Sequence, residues 1–379
     1  MENPIVVDPQ KNTQVAQVPF IDLRRQYFLL KKEILTVVDQ VFSSGSYILG
    51  DVVEAFEKKM ASYLDCKYVL SVANGTDAII LVLKSLNIGA GDEVILPANS
   101  FIATAGAVVA VGAVPILCDA QDDLNMDVSQ IEKYITKKTK AIIPVHLTGR
   151  PAEMDTAIEV AKKYSLSVIE DAAQSIGARY KNKMTGAIGD AGCFSLHPLK
   201  NLHVYGDGGL ISTNDEALYQ DLKLLRNHGL VNRDTCLRWG LNSRLDTVQA
   251  GIASISMAYI DQWNNRRREY ADFYREKLGS YLTVPVDKSY EHAVYHNFVV
   301  LTEKRDALQQ FLADRMIETK IHYPIQIHQQ PAARQLNYKT GDFPMAEKLA
   351  NQMLSLPVYS ELTFDELNSV VENIIEFFE

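Results

Sequence analysis

Only four cysteines occur in 379 residues, Cys66, Cys118, Cys193 and Cys236. They lie far apart and form no C-x-x-C pair, so neither a zinc site nor a redox motif is indicated. A dense basic tract is also missing. The single run, Arg266-Arg267-Arg268, is expected on a solvated helix face. With a formal net charge of -9, nucleic acid is disfavoured as the main partner. No G-x-G-x-x-G follows the first strand candidate and no G-x-x-x-x-G-K-[ST] occurs, which argues against an NAD-dependent oxidoreductase or a P-loop enzyme. The first residues are polar, with Asp8, Lys11 and Asn12, and do not read as a signal peptide. The stretch from Phe101 to Cys118 has almost no polar groups. Gly106, Gly112 and Pro115 interrupt it, so a buried helix followed by a strand is expected there, not a membrane span. A cytoplasmic location is the expectation.

What is present is an ordinary globular composition, 47% hydrophobic and 22% charged. The length suggests two domains. Residues 1–18 are polar and unpatterned and read as a flexible arm. A large domain is expected over 19–255 and a smaller C-terminal α+β domain over 256–379. Two helices are expected between Pro19 and Leu64, broken at Ser43-Ser44-Gly45-Ser46. Strand candidates then follow at Tyr68–Val72, Glu93–Pro97, Val114–Cys118, Ala141–Val145, Ser167–Glu170, Gly192–Ser195 and Gly209–Ser212. Helix-like segments separate them, among them Asp77–Leu86, Ile102–Val111, Val128–Ile135, Ala152–Tyr164 and Asp215–Arg226. Such alternation predicts an α/β fold with a mostly parallel sheet covered on both faces. Beyond Asn242 helix is expected from Asp246 to about Leu278, strands near Val294–Leu301 and Thr319–Ile321, and a last helix near Phe364–Phe377.

Ligands of open α/β sheets bind beyond the carboxyl ends of the strands, so the residues after each strand are the candidates. Gly75 and Thr76 stand where a helix begins, a place suited to a phosphate; taken alone, a plain N-cap by Thr76 or Asp77 is the commoner explanation. Phe101 after the second strand could stack on a flat cofactor or be core. Asp171 ends a buried strand, where a carboxylate calls for a cationic partner such as a protonated pyridine nitrogen, or caps a helix. Lys200 lies in an apolar setting shortly after Ser195 and before Gly206-Asp207-Gly208-Gly209. Its amine could form an imine with an aldehyde cofactor, or it could simply snorkel. Phosphate anchor, stacking aromatic, pyridine-pairing acid and lysine occur in the order a pyridoxal-phosphate (PLP) site needs.

The pattern resembles the DegT/DnrJ/EryC1/StrS sugar aminotransferases, of the aspartate-aminotransferase-like fold type I. The resemblance rests on Asn74-Gly75-Thr76-Asp77-Ala78, Glu170-Asp171-Ala172-Ala173-Gln174 and His197-Pro198-Leu199-Lys200-Asn201-Leu202. It continues through Arg226-Asn227-His228-Gly229, Asn242-Ser243-Arg244-Leu245-Asp246 and His322-Tyr323-Pro324. It implies a large domain with a mostly parallel seven-stranded sheet and PLP, alternating with its amine form PMP, as cofactor. Lys200 would be the imine-forming catalytic lysine, Asp171 would pair with the pyridine nitrogen and Gln174 would bond the ring hydroxyl. Gly75, Thr76 and Ser195 would hold the phosphate and Phe101 would cover the ring. Asn242 would reach the phosphate of a neighbouring subunit, which implies a homodimer with sites at its interface. His322, Tyr323 and His328 would border the sugar or nucleotide; they are too few and isolated for a metal site.

The implied reaction moves an amino group from L-glutamate to a nucleotide-linked keto-sugar in two halves, with Lys200 as general base and acid. The wording around Lys200 is closest to members that aminate C3 of dTDP-3-keto-6-deoxyhexoses; amination at C4 is the alternative. Relatives that dehydrate the sugar carry histidine in place of the lysine, and a non-catalytic PLP-binding regulator is a further reading. Leu196 departs from the family, where an aromatic is usual.

Overall fold

Apolar pentapeptides between polar turns supply the strands, and segments with helical spacing supply their cover. A computed structural model describes residues 17–379; most of the expected arm, residues 1–16, lies outside the described residues. The chain opens with α1 (Leu23–Ser44) and α2 (Asp51–Leu64). Gly45, with φ 70°, ends α1 in the left-handed conformation that glycine adopts without strain. There follow β1 (Tyr68–Val72), α3 (Gly75–Ser85), β2 (Glu93–Pro97), α4 (Ile102–Ala110), β3 (Val114–Cys118), β4 (Thr139–Ile142), α5 (Met154–Tyr164) and β5 (Ser167–Asp171). A hairpin of β6 (Arg179–Tyr180) and β7 (Lys183–Met184) leads to β8 (Ala191–Ser195), β9 (Gly209–Thr213), α6 (Glu216–Leu225), α7 (Thr247–Ser256) and α8 (Ile260–Leu278). The last part holds β10 (Glu291–His292), β11 (Phe298–Leu301), α9 (Arg305–Asp314), α10 (Pro344–Gln352), β12 (Met353–Leu356) and α11 (Phe364–Phe378).

Seven strands form the main sheet in the order β1-β9-β8-β5-β4-β2-β3. Only β9 runs against its neighbours, β1 and β8; the other pairings are parallel. The fold is therefore the expected α/β arrangement. Successive side chains of a strand point to opposite faces, and the core divides accordingly. Leu70, Cys193 and Ile211 pack beneath α3. Their neighbours Val69, Phe194 and Leu210 pack on the other side against α1, α2 and α7. A further core, built from Tyr270, Tyr274, Phe298, Leu356 and Ile374, fills the C-terminal part. Helix α8 contributes Ile260 and Trp263 to one core and Tyr270 and Leu278 to the other.

Several local expectations change. Residues Val128–Tyr134 form a 3₁₀ helix, not an α-helix. Thr319–Ile321 is reduced to a single bridge between Lys320 and Ser355. At the inner end of the expected arm, Val18 is buried and bridges Ile317. The arginine run is not a uniformly solvated face: Arg267 is buried and donates to the carbonyls of Tyr295, His296 and Val358. A guanidinium has five donors, and three backbone acceptors offset part of its lost hydration. Phe101–Cys118 divides into α4 and β3, and among the described residues no helix is long and apolar enough to cross a membrane.

Candidate active site

The carboxyl ends of β1, β2, β5 and β8 converge, and α3 starts among them. Its cap is Asn74, whose side chain accepts from the Asp77 N–H at 2.8 Å. Neither Thr76 nor Asp77 is the cap, so both lie inside the first turn with its unpaired N–H groups. Gly75 lies flush on Ser195: a β-carbon at Gly75 would come 3.0 Å from that of Ser195. Gly209 presses on the same turn, where a β-carbon would meet the Asn74 carbonyl at 2.4 Å. Gly75, Thr76 and Ser195 are thus brought together around a helix N-terminus, an arrangement suited to a phosphate.

Phe101 caps α4 and is 51% exposed, so it is not core. Its ring centroid lies 5.4 Å from that of Tyr323. The Tyr323 hydroxyl accepts from Gln174 Nε2 at 3.1 Å, and Gln174 Oε1 accepts from the Thr148 N–H at 2.6 Å. The backbone donor fixes which end of the amide is oxygen. Burial, followed by the charge of Asp171, pushes the Tyr323 hydroxyl well above its ordinary range.

Asp171 ends β5 and does not cap an α-helix. Its Oδ2 accepts from Thr104 Oγ1 at 2.8 Å and its Oδ1 from the Ala173 N–H at 3.2 Å. Burial pushes the carboxyl up; the bonds from Thr104 and Ala173 and the charges of Lys200 and His146 oppose this. Just behind it, the buried Glu170 accepts from the N–H groups of Gly186, Ile188 and Gly189, each at 2.7 Å. His146 Nδ1 accepts from the Ala152 N–H, so a neutral His146 carries its proton on Nε2, 2.9 Å from Glu170.

Lys200 is half-buried. Burial, offset in part by Asp171, pushes its amine down to about 8. About a tenth of such an amine is free at pH 7, several hundred times more than at its ordinary value, and the free form is a nucleophile for an aldehyde. Around it stand histidines with depressed basicity. Burial and the charges of Lys200 and Lys320 push His322 down to about 4, and burial followed by Lys200 holds His296 well below its usual range. His322 Nδ1 lies 2.9 Å from Ser355 Oγ. His296 is tied to Asn201, the residue after Lys200, at 3.3 Å.

Not every expected residue joins this group. The His328 side chain is enclosed, bonded to Glu347 at 2.8 Å and set against Phe343. Asn242 is exposed, in a bridge with Asn227. Conversely, Thr104, His146, Thr148 and His296 escaped the reading of the sequence. Of these only Thr104 left a signal, as a hydroxyl four residues after Ser100 in an otherwise apolar helix. Among the described residues no group of three or more His, Cys, Asp and Glu side chains could hold a metal ion.

A phosphate cradle, an exposed aromatic, a dry carboxylate and a desolvated lysine fit the groups of PLP. Comparison with known proteins agrees. The DegT/DnrJ/EryC1/StrS aminotransferase family model matches residues 29–375. A pleiotropic regulatory protein of Geobacillus stearothermophilus is 42% identical over 366 residues, covering 95% of this chain and 98% of that protein. The dTDP-3-amino-3,6-dideoxy-alpha-D-galactopyranose transaminase of Aneurinibacillus thermoaerophilus is 43% identical over 359 residues, covering 94% and 98%. The crystal structure of S. venezuelae DesV in complex with a ketimine intermediate superposes with a TM-score of 0.94 at 39% identity, covering 96% of this chain and 99% of DesV. The chain belongs to the DegT/DnrJ/EryC1/StrS aminotransferase family of PLP-dependent sugar transaminases.

Proposed function

We propose that the protein transfers an amino group from L-glutamate to C3 of a dTDP-linked 3-keto-6-deoxyhexose. The observation that carries the enzymatic reading is the half-buried Lys200, its amine pushed down to about 8, acting across from the buried Asp171. The preference for C3 and for dTDP draws on the segment His197–Leu202 and on the transaminase relative from Aneurinibacillus thermoaerophilus.

When bound, PLP supplies an electron sink and a carrier for the amino group. In this reading Gly75, Thr76 and Ser195 hold its phosphate at the start of α3, and Phe101 covers one ring face. Asp171 pairs with the pyridine nitrogen and Gln174 bonds the ring hydroxyl. Lys200 would hold the cofactor through its aldehyde carbon and, as a free amine, would carry the proton taken from the α-carbon of glutamate. In the second half Lys200 returns a proton to the sugar carbon that receives nitrogen. His322 and Tyr323 border the sugar. Asn242 serves the phosphate of a partner copy, which makes a homodimer the working form.

The test is NMR of the amino sugar formed from L-glutamate with dTDP-3-keto and dTDP-4-keto substrates. Nitrogen at C3 is expected, and nitrogen at C4 would overturn the regiochemistry. PLP-loaded protein that never releases 2-oxoglutarate would favour the sensing role that the name of the Geobacillus relative suggests. Lys200→Ala should lose the absorption band near the visible edge; retention of that band in the variant would sink the lysine assignment.

A further inference from the structure

Behind Asp171 runs a short chain of hydroxyls that the reading above does not use. Ser100 Oγ and Thr104 Oγ1 are 2.7 Å apart, and Thr104 Oγ1 is 2.8 Å from Asp171 Oδ2. All three residues are buried, Thr104 completely. A hydroxyl has one hydrogen to donate. An ionised carboxylate only accepts, so Thr104 gives its hydrogen to Asp171, and its own oxygen can then only accept. Ser100 is therefore the donor to Thr104, and the chain has one direction: Ser100 to Thr104 to Asp171.

We propose that Thr104 is a positioning residue for the reaction, orienting the Asp171 carboxylate and holding it in its charged form opposite the ring nitrogen. The inference rests on the reading of Asp171 as the partner of that nitrogen. Oδ1 is engaged by the Ala173 N–H, so Thr104 supplies the side-chain restraint on the remaining oxygen. Hydrogen bonds to a charged acceptor are about twice as strong as neutral ones, and consecutive bonds polarise each other in a dry interior. The other titratable groups about Asp171 act differently. Lys200 is consumed when it bonds the cofactor, His146 is engaged at Nδ1 by the Ala152 N–H and at Nε2 by Glu170, the Cys193 thiol is pushed far up by burial, and burial holds the Tyr323 hydroxyl well above its usual range. A hydroxyl donor does not titrate, so its support is the same at every working pH.

The experiment compares wild type with Thr104→Val, which keeps the shape and removes the donor, and Thr104→Ser, which restores it. Isotope-edited infrared or carbon NMR titration of Asp171 is read in the apoprotein, and PLP affinity by equilibrium dialysis, with far-UV circular dichroism to confirm folding. Thr104→Val should raise the pH at which Asp171 titrates and weaken PLP binding about tenfold, the size of one hydrogen bond to a charged group. Thr104→Ser should return both toward wild type, and Ser100→Ala should move both in the direction of Thr104→Val by less. A folded Thr104→Val protein with wild-type titration and PLP affinity overturns the proposal. Failure of wild type itself to bind PLP would instead remove the cofactor reading on which it stands.

Discussion

An amine that keeps its proton up to pH 10.5 is a poor nucleophile in neutral solution; Lys200, pushed down to about 8, is a good one. The sign follows directly, because the protonated form has no lone pair to attack an aldehyde. Capture of PLP by the apoprotein should accelerate as pH rises toward about 8, roughly tenfold per pH unit at the low end, and level off above it. Stopped-flow growth of the band near the visible edge measures this. A rate still climbing through pH 10 would show that burial does not govern the amine. The same local environment explains which residues were legible. Lys200, Asp171 and Gly75 sit in runs whose chemistry is written in adjacent positions. Thr104 reaches Asp171 across 67 positions of chain, and His296 reaches Asn201 across 95. Only packing creates those pairs, so no local pattern announces them.

At the scale of elements, the start of α3 is held by close backbone contacts, and glycines make them possible. In Gly209 a β-carbon would lie 2.4 Å from the Asn74 carbonyl and 2.9 Å from the Gly75 nitrogen. Backbone cannot swing aside as a side chain can. Gly209→Ala should therefore cost about 1–3 kcal/mol of stability by overpacking and weaken PLP binding by displacing the phosphate donors. Gly106, exposed in the middle of α4 with nothing within 4 Å of an added β-carbon, should respond in the opposite sense. There alanine should stabilise by about 0.5–1 kcal/mol through helix propensity. Thermal melts of the two variants check the pair, and equal shifts would refute the contact argument. The sequence displayed both glycines but not this difference, because the difference lies in what faces each one. Strands β1, β2 and β3 were readable to the residue, since each is a short apolar run. The antiparallel sense of β9 was not, because strand direction depends on how the connection from β8 to β9 turns back. The small sheet of β6, β7 and β10 has two residues per strand and gives no periodicity to detect.

Single apolar side chains in water are ordinary on a folded surface, but several on neighbouring turns are candidates for contact with another copy. Phe28 and Leu29 on α1, Phe42 at its end, and Leu237 and Trp239 near Asn242 are all more than half exposed, Trp239 at 90%. Exposed apolar side chains such as these are available to a second copy of the chain, and the proposed role of Asn242 requires a twofold interface that carries it toward the site of the other copy. That geometry makes a prediction about mixtures. Lys200→Ala and Asn242→Ala should each be impaired alone. When the two are unfolded together and refolded as a mixture, each mixed dimer combines both defects at one site and leaves the second site intact. Half of randomly assembled dimers are mixed, so activity should recover to about a quarter of the wild-type value per subunit. If Asn242 instead served the site of its own chain, every site would carry one defect and mixing would restore nothing. Sedimentation of the wild type as a monomer, or a mixture no more active than the average of its parents, would reject the shared site.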